Sequence, residues 1–279
     1  MLQQIQSYLK FQWNATSEHG VHSPFVFDLV RNCFYDTTNY EEYEVLDNYR
    51  NQLLNDHNTI EVTDFGADSR VFKSNTREIA AIAKNAGISR KRAQLLFRLV
   101  RYFQPTEILE IGTSLGLATS ALALGNKNST ITTLEGCPST SQKSKEESQK
   151  FGFKNIEFIT TEFSSYLNNL KLETLNKTNQ KNFDCIYFDG NHSKKATLEY
   201  FETLLPTITN ETIWIFDDIH WSQDMEEAWE IIKDHPKVTV TIDTFQWGLV
   251  FFRKEQNKEH FCIKTEQNLS SMFFEKIRI

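Results

Sequence analysis

Short apolar runs rich in β-branched and aromatic residues alternate with amphipathic stretches along the middle of the chain. The runs EILEIG, TITTLEG, NIEFIT, FDCIYFDG and TIWIFDD recur between residues 106 and 218, and each is followed by a segment with helical spacing of its apolar positions. Runs of this length predict strands, and the segments between them predict helices. Strands that alternate with helices predict a parallel sheet covered on both faces.

The last two apolar runs break this alternation. Residues 238–245 and 249–253 are separated only by Gln246, Trp247 and Gly248, a connection too short for a helical crossover. These runs therefore predict an antiparallel hairpin. Together with the five runs before them, they predict an α/β fold with a seven-stranded, mostly parallel sheet whose last strand is antiparallel.

The first 88 residues have a different pattern, in which helices are joined by polar connections. Residues 40–54 form an amphipathic stretch, whereas residues 56–75 show little periodicity and predict a long loop. We therefore expect two parts. An N-terminal helical extension over residues 1–88 would cover part of the active crevice, and the main domain would follow over residues 89–279.

Composition and charge exclude several classes of protein. The 279 residues contain 30 Lys and Arg against 37 Asp and Glu, which gives a formal net charge of −7. Such a chain offers no broad basic surface to nucleic acid or to an anionic membrane. The four cysteines stand singly and indicate neither a zinc framework nor a disulfide scaffold. No window approaches the roughly 20 apolar residues that span a bilayer, so we expect a soluble, cytoplasmic protein.

A glycine-containing turn follows the first predicted strand. The sequence EIGTSLG places Glu110 at the strand end and Gly112 and Gly116 before the next helix. Glycines let backbone approach a ligand closely, and free N–H groups at a helix start favour polar or anionic ligand atoms. Glu135 ends the second strand, about 20 residues on, where doubly wound folds place a carboxylate that binds ribose hydroxyls. These features indicate a nucleotide-like ligand, with a packing turn beside an exposed glutamate as the alternative.

The motif Glu110-x-Gly112-x-x-x-Gly116, together with Glu135 and the terminal hairpin, resembles the class I S-adenosylmethionine-dependent methyltransferases. The resemblance covers about residues 89–253 and implies a Rossmann-like methyltransferase sheet. A dinucleotide dehydrogenase would carry glycine at position 114, where this chain has Ser.

The resemblance also implies which residues hold S-adenosylmethionine. Glu110 would bind the methionine amino end, Glu135 the ribose and Glu162 the adenine amino group, while the turn wraps the methionine portion. The expected donor-binding residues are Glu110, Gly112, Thr113, Ser114, Gly116, Glu135, Gly136, Glu162 and Phe163.

Two further strand ends are acidic. Asp189 follows the fourth strand, and Asp217 and Asp218 follow the fifth. Because the carboxyl ends of neighbouring strands converge, these carboxylates would raise one another's pKa unless a cation neutralises them. The arrangement resembles the catechol O-methyltransferase-like group, which implies Mg²⁺ or Ca²⁺ bound by all three. In the alternative without a metal, Asp189 orients the sulfonium or the acceptor. Asp217 or Asp218 then caps the helix that begins near Ser222.

Two histidines follow these strand ends. His192 lies three residues after Asp189, where metal-dependent catechol methyltransferases carry the basic residue that takes the hydroxyl proton. The resemblance therefore implies that His192 and Asp189 are catalytic, and an imidazole that titrates near neutrality suits this work. His220 has the same position after the fifth strand, but Ile219 and Trp221 beside it favour packing.

These residues predict methyl transfer from S-adenosylmethionine to an oxygen, or less readily a nitrogen, of a small molecule. Two other classes stay open: a metal-dependent oxygenase or hydrolase on the same scaffold, and a non-catalytic protein that only binds S-adenosylmethionine. Activity without the methyl donor would identify the first, and tight donor binding without turnover would identify the second. The expected partner is a small-molecule acceptor, and the sequence leaves both a monomer and a homodimer open.

Overall fold

The structure is a computed structural model that describes residues 2–63, 74–175 and 182–265. A π-helical turn, Val30–Phe34, extends the second helix, and two 3-10 turns cover Glu18–Gly20 and Leu205–Thr207. The α-helices are α1 (Leu2–Asn14), α2 (Pro24–Leu29), α3 (Glu42–Leu54), α4 (Ile79–Asn85), α5 (Arg90–Phe103), α6 (Leu117–Gly125), α7 (Pro138–Lys150), α8 (Phe163–Leu175), α9 (Lys194–Leu204) and α10 (Gln223–Asp234). The strands are β1 (Thr59–Glu61), β2 (Thr76–Glu78), β3 (Glu107–Ile111), β4 (Thr130–Glu135), β5 (Ile156–Thr160), β6 (Cys185–Phe188), β7 (Ile213–Asp217), β8 (Val240–Asp243), β9 (Trp247–Phe251) and β10 (Glu259–Cys262).

Contacts divide the chain into two compact units. The central unit comprises Thr38–Phe183, and the split unit comprises Met1–Thr37 and Asp184–Ile279. This division does not coincide with the boundary expected between residues 88 and 89, because residues 38–88 group with the following strands. The role of residues 1–88 as a functional extension stays a prediction.

The central unit contains three parallel strands. β3 pairs with β4, and β4 pairs with β5, with Ile108 opposite Ile131 and Leu134 opposite Ile159. Helices α6, α7 and α8 follow these strands in turn, as the alternation of apolar runs predicts. Helix α6 is buried along its whole length, because its sequence LATSALALG presents small or apolar residues on every side.

A small hairpin precedes these strands. β1 and β2 pair antiparallel, with Thr59 opposite Glu78 and Glu61 opposite Thr76. The prediction of a long loop over residues 56–75 was therefore wrong at its N-terminal end, where β1 lies, since a strand of three residues is too short to show a period. Residues 64–73, the middle of that expected loop, lie outside the described residues.

The split unit contains five strands in the order β10-β8-β9-β7-β6. β6 and β7 are parallel, β9 runs antiparallel to both β7 and β8, and β10 is parallel to β8. The predicted α/β fold and terminal hairpin are confirmed. The structure also contains β10, which the sequence did not predict. Apart from the hairpin of β1 and β2, the described parts of the two units therefore contain eight strands, β3 to β10, whereas seven were predicted. The four residues of β10, EHFC, carry too few apolar positions for a strand pattern.

The N-terminal helix α1 packs in the split unit. Tyr8, Phe11 and Ala15 form a cluster with Phe245, and the ring centroids of Tyr8 and Phe245 lie 5.0 Å apart. Among the described residues, none of the helices combines the length and apolar character needed to cross a membrane.

His220 joins three segments of the split unit. Its Nδ1 lies 2.7 Å from Oε1 of Glu226 on α10, and its Nε2 lies 2.9 Å from Oδ2 of Asp243 on β8. The ring also stacks on Phe245 at 5.2 Å. Burial lowers the pKa of this imidazole, but the two carboxylates outweigh burial and raise the pKa to about 9. These contacts favour the packing role of His220 over a catalytic one.

The free energy of unfolding should depend on the charge of His220. Its pKa is about 9 in the folded protein against 6.5 in the unfolded chain, so the contribution is complete below pH 6.5 and is lost as pH rises through 9. The free energy of unfolding should fall by about 3 kcal/mol over this range, at roughly 1.4 kcal/mol per pKa unit. Urea unfolding at pH 6 and pH 9.5 should show this loss in the wild type and not in His220→Gln. An equal loss in both proteins would contradict the assignment.

Gly248 on β9 lies against the indole of Trp229 on α10. A Cβ at this glycine would meet ring carbons of Trp229 at 2.5 to 2.8 Å, and Trp229 is itself only 1% exposed. Gly248→Ala should therefore destabilise the protein by about 1 to 3 kcal/mol through overpacking. Trp229→Phe removes the ring that would collide. Thermal unfolding of the double variant should show a smaller loss than the sum of the single variants; simple additivity would contradict this explanation.

Candidate functional site

The turn after β3 has an unusual backbone. Gly112, Ser114 and Gly116 have φ values of 104°, 48° and 78°, so three of five consecutive residues are left-handed. Glycine adopts this conformation freely, whereas a serine there is strained by about 1 to 2 kcal/mol. Strain of this kind persists where surrounding contacts fix it and is concentrated at functional sites. The turn is thus a candidate ligand site on its own geometry.

Glu135, at the end of β4, holds this turn. Its Oε2 accepts a hydrogen bond from the backbone N–H of Ser114 at 2.8 Å, and its Oε1 accepts one from the N–H of Cys137 at 2.9 Å. One carboxylate therefore fixes the backbone after two neighbouring strands. A carboxylate oxygen accepts more than one hydrogen bond, so the arrangement is compatible with the predicted contact to ribose.

Glu110 lies in a buried chain of hydroxyls. The residue is fully buried, and its Oε2 accepts hydrogen bonds from the hydroxyls of Thr119 and Thr133, both at 2.6 Å. The hydroxyl oxygens of Thr133 and Thr113 are 2.5 Å apart. Since Thr133 donates to Glu110, Thr113 must donate to Thr133. Glu110 therefore stabilises the turn from beneath, and its direct contact with the methionine amino end stays a prediction.

Sequence reasoning missed Thr119 and Thr133. Thr133 belongs to the run TITTLE, in which the fully buried Thr132 and Thr133 interrupt an otherwise apolar strand. A buried hydroxyl needs a hydrogen-bond partner. The threonines within this apolar strand therefore indicated that a polar side chain of the neighbouring strand β3 faces them.

The remaining predicted donor residues follow β4 and β5. Gly136 is half-buried directly after Glu135. Glu162 is exposed and precedes α8, which begins at Phe163, and the N–H of Thr161 donates to the Glu135 carbonyl at 2.9 Å. The central unit therefore brings the residues after all three strands to one edge.

The acidic strand ends meet in the split unit. Because β6 and β7 pair in parallel with Phe188 opposite Phe216, the next residues, Asp189 and Asp217, follow at the same edge. Asp217 is only 2% exposed. Its Oδ2 accepts a hydrogen bond from the Tyr187 hydroxyl at 3.0 Å, and its Oδ1 accepts one from the N–H of Asp218 at 2.7 Å. The predicted convergence is confirmed, and the role of Tyr187 is new.

His192 and Asp189 form an ion pair, with 3.4 Å between Nε2 and Oδ1. Burial and the charge of Asp217 raise the pKa of Asp189 to about 7. Burial lowers the pKa of His192, but the hydrogen bond to Asp189 and the charge of Asp218 outweigh it and raise that pKa to about 9. The imidazole is therefore charged at neutral pH rather than half-titrated, as the sequence analysis assumed.

Two residues of this cluster have left-handed backbones. Asn191 and Asp218 have φ values of 51° and 54°, which Asn and Asp tolerate better than other non-glycine residues. The Ser193 hydroxyl donates to Oδ1 of Asn191 at 3.3 Å. As in the central unit, strained backbone marks the carboxyl ends of the strands. The contacts of Asn191 were not foreseen from the sequence.

The three carboxylates do not form a metal site as they are arranged. Among the described residues, there is no group of three or more His, Cys, Asp or Glu side chains placed to hold a metal ion. Both oxygens of Asp217 take hydrogen bonds, and Asp189 takes the imidazole of His192. The imidazole of His192 is the cationic partner that the structure places beside Asp189. The donor set therefore does not fit the predicted resident cation.

Helix capping by these aspartates is also not observed. The side chain that caps α10 is Ser222, whose Oγ accepts from the N–H of Met225 at 3.2 Å. Asp217 instead fixes the backbone of Asp218. The helix-capping part of the metal-free alternative was therefore wrong, since a serine one residue before the helix is already an effective N-cap.

Comparison with known proteins gives a consistent result. Residues 109–219 match the family described as a methyltransferase domain. No curated protein matches the sequence.

Several solved structures share the fold. A methyltransferase from Podospora anserina, bound to S-adenosylhomocysteine, superimposes with a TM-score of 0.55 at 15% identity, covering 84% of this chain and 97% of that one. A putative O-methyltransferase from Klebsiella pneumoniae gives 0.53 at 18%, covering 78% and 92%. An O-methyltransferase from Bacillus cereus, in complex with S-adenosylhomocysteine, gives 0.52 at 18%, covering 78% and 93%. Residues 109–219 therefore carry a methyltransferase domain, and the chain shares the fold of these solved methyltransferases.

Proposed function

We propose that this chain is an S-adenosylmethionine-dependent methyltransferase that acts on an oxygen atom of a small-molecule acceptor, with the proton of the acceptor hydroxyl handled by Asp189 and His192. The observation that carries the proposal is the ion pair at the end of β6, in which Asp189 has a pKa of about 7 and His192 of about 9. An alcohol or phenol must lose a proton as it is methylated. A carboxylate that titrates near neutrality can accept it.

The charged imidazole has a separate role in this proposal. Protonated His192 stabilises negative charge that develops on the acceptor oxygen as its proton leaves. Asp189 keeps the imidazole oriented through their contact and takes the proton. A nitrogen acceptor that is already neutral would need no such pair, so oxygen is the favoured acceptor.

In the central unit, we propose that the turn after β3 binds S-adenosylmethionine. Gly116 precedes α6 without a capping side chain, so the first N–H groups of that helix suit the carboxylate of the methionine portion. Glu135 accepts hydrogen bonds from the ribose hydroxyls, and Glu162 with Phe163 receives the adenine. When bound, the donor supplies an electrophilic methyl group, and these residues fix its position, which is the main source of rate enhancement.

Donor binding should depend on Glu135. Glu135→Gln replaces an oxygen that accepts a backbone N–H with an amide that cannot accept, so both the turn and the ribose contact are weakened. We expect the Kd for S-adenosylhomocysteine, measured by calorimetry, to rise about 10- to 100-fold. Glu146→Gln, an exposed change on α7, is the matched control. Unchanged affinity in Glu135→Gln, with NADH competing for the same site, would point to a dehydrogenase-like site instead.

The rate of methyl transfer should depend on pH in a bell shape. The rate rises as Asp189 loses its proton near pH 7 and falls as His192 loses its charge near pH 9. His192→Gln should lower turnover by roughly 10²- to 10⁴-fold at unchanged donor affinity. It should also abolish the alkaline limb. Because the imidazolium no longer stabilises the carboxylate, the acid limb should move to higher pH.

His220→Gln is the control for this experiment, since it removes another buried, charged imidazole of the same unit. A similar loss in both variants, or in neither, would exclude His192 from the mechanism. The same profile recorded after treatment with a chelator, with Mg²⁺ or Ca²⁺ then restored, tests the metal hypothesis. Turnover that vanishes with the chelator and returns with the ion would reinstate Asp189, Asp217 and Asp218 as metal ligands.

A further inference from the structure

The turn after β3 receives a hydrogen bond from a helix that precedes it by more than 60 residues. The hydroxyl of Tyr49, on α3, donates to the carbonyl of Leu115 at 2.9 Å across a sequence separation of 66 residues. Leu115 lies between Ser114 and Gly116, the two left-handed residues that shape the turn. A single side chain from α3 therefore holds the peptide at the centre of the proposed donor site.

The phenol ring of Tyr49 has little freedom to leave this position. Tyr49 is 1% exposed, and its ring lies 5.0 Å from that of Phe151 and 6.1 Å from that of Phe153. Burial raises the pKa of the hydroxyl well above its ordinary value. The hydroxyl therefore stays protonated at neutral pH and can donate its hydrogen bond.

The turn also approaches Tyr49 closely at Gly116. A Cβ added to this glycine would lie 2.6 Å from the Tyr49 hydroxyl oxygen and would also collide with Oγ of Ser144 on α7. The backbone of the turn thus lies directly against side chains of α3 and α7. A bulkier residue at position 116 would push the turn away from α3 and α7. This close approach therefore favours glycine at position 116, as does its φ of 78°.

Polar contacts fix α3 against α7. Gln52 on α3 donates to Oε2 of Glu147 at 2.5 Å, and Lys143 lies 2.7 Å from Oε1 of the same carboxylate. Lys143 also pairs at 2.6 Å with Asp56, just beyond α3. Glu147 is only 1% exposed. This partly buried network holds the helix that carries Tyr49.

We propose that Tyr49 is a positioning residue for the methyl donor: its hydroxyl holds the turn in the donor-binding conformation before the donor arrives. The inference rests on the proposed donor site in the central unit. A turn that samples other conformations binds only in the fraction of molecules where it is correctly formed, so loss of the hydroxyl lowers the apparent affinity. Tyr49 touches neither substrate in this account and acts only through Leu115.

The test compares Tyr49→Phe with Tyr43→Phe. Both remove a hydroxyl from a buried tyrosine of α3, but the Tyr43 hydroxyl accepts a hydrogen bond from Arg98 at 3.0 Å and is not bonded to the turn. We expect Tyr49→Phe to raise the calorimetric Kd for S-adenosylhomocysteine by about tenfold, from the loss of one hydrogen bond. It should raise the donor KM by a similar factor and leave kcat at saturating donor within about twofold.

Tyr43→Phe should lower thermal stability without changing donor affinity. Unchanged affinity in Tyr49→Phe would overturn the proposal. So would an equal loss of affinity in both variants, because that result reflects general destabilisation of α3.

Amide hydrogen exchange of the ligand-free proteins separates this inference from the proposed function. Tyr49→Phe should lose protection at residues 114–118, whereas Tyr43→Phe should keep it. If wild-type protein does not bind S-adenosylhomocysteine, the proposed donor site fails. In that case amide hydrogen exchange still tests whether Tyr49 holds the turn. Equal protection of the turn in wild type and Tyr49→Phe would overturn the positioning role of Tyr49 as well.

Discussion

The hydrogen bonds between the carboxylate of Glu135 and the backbone after two parallel strands are the constraint on which the proposed donor site depends. Parallel pairing of β3 and β4 fixes only the strands, up to Ile111 opposite Leu134. Beyond that point, the left-handed Ser114 needs a contact that offsets its strain, and Oε2 of Glu135 supplies it. The carboxylate thus converts a strand end into a turn of defined shape.

The same device recurs in the split unit. The buried carboxylate of Asp217 accepts the N–H of the left-handed Asp218 and the hydroxyl of Tyr187. Burial of Asp189 and the negative charge of Asp217 raise the pKa of Asp189, and the imidazole of His192 acts in the opposite direction. The group that fixes the backbone therefore also influences the proposed acid–base pair.

Much of the fold and of the candidate site could be predicted from the sequence. The strands and helices follow from local patterns of apolar residues, and the acidic residues of the site follow strand ends that converge. The alternating runs gave the order of strands and helices, and the three-residue connection at residues 246–248 gave the hairpin. Asp189 and Asp217 were placed at one edge because parallel strands end together. Strands β1 and β10 were missed because three or four residues with exposed positions carry no distinct period.

The parts that could not be predicted depend on contacts between distant residues. The hydrogen bond from Tyr49 to Leu115 spans 66 residues, and one sequence gives no sign that α3 reaches that turn. The charge of His192 was also inaccessible, because the spacing from Asp189 indicates proximity but not how strongly nearby carboxylates raise a pKa. A metal was expected because three carboxylates follow neighbouring strand ends, and the structure places the imidazole of His192 beside one of them, Asp189.

A titration of ¹⁵N-labelled protein with S-adenosylhomocysteine, followed by nuclear magnetic resonance, tests whether the turn after β3 and Glu135 form the donor site. If they do, the backbone amides of Gly112, Ser114, Gly116 and Cys137 should shift in a saturable way. Saturable binding that leaves these four amides unmoved, or the absence of binding, would show that the donor site is not formed by these residues.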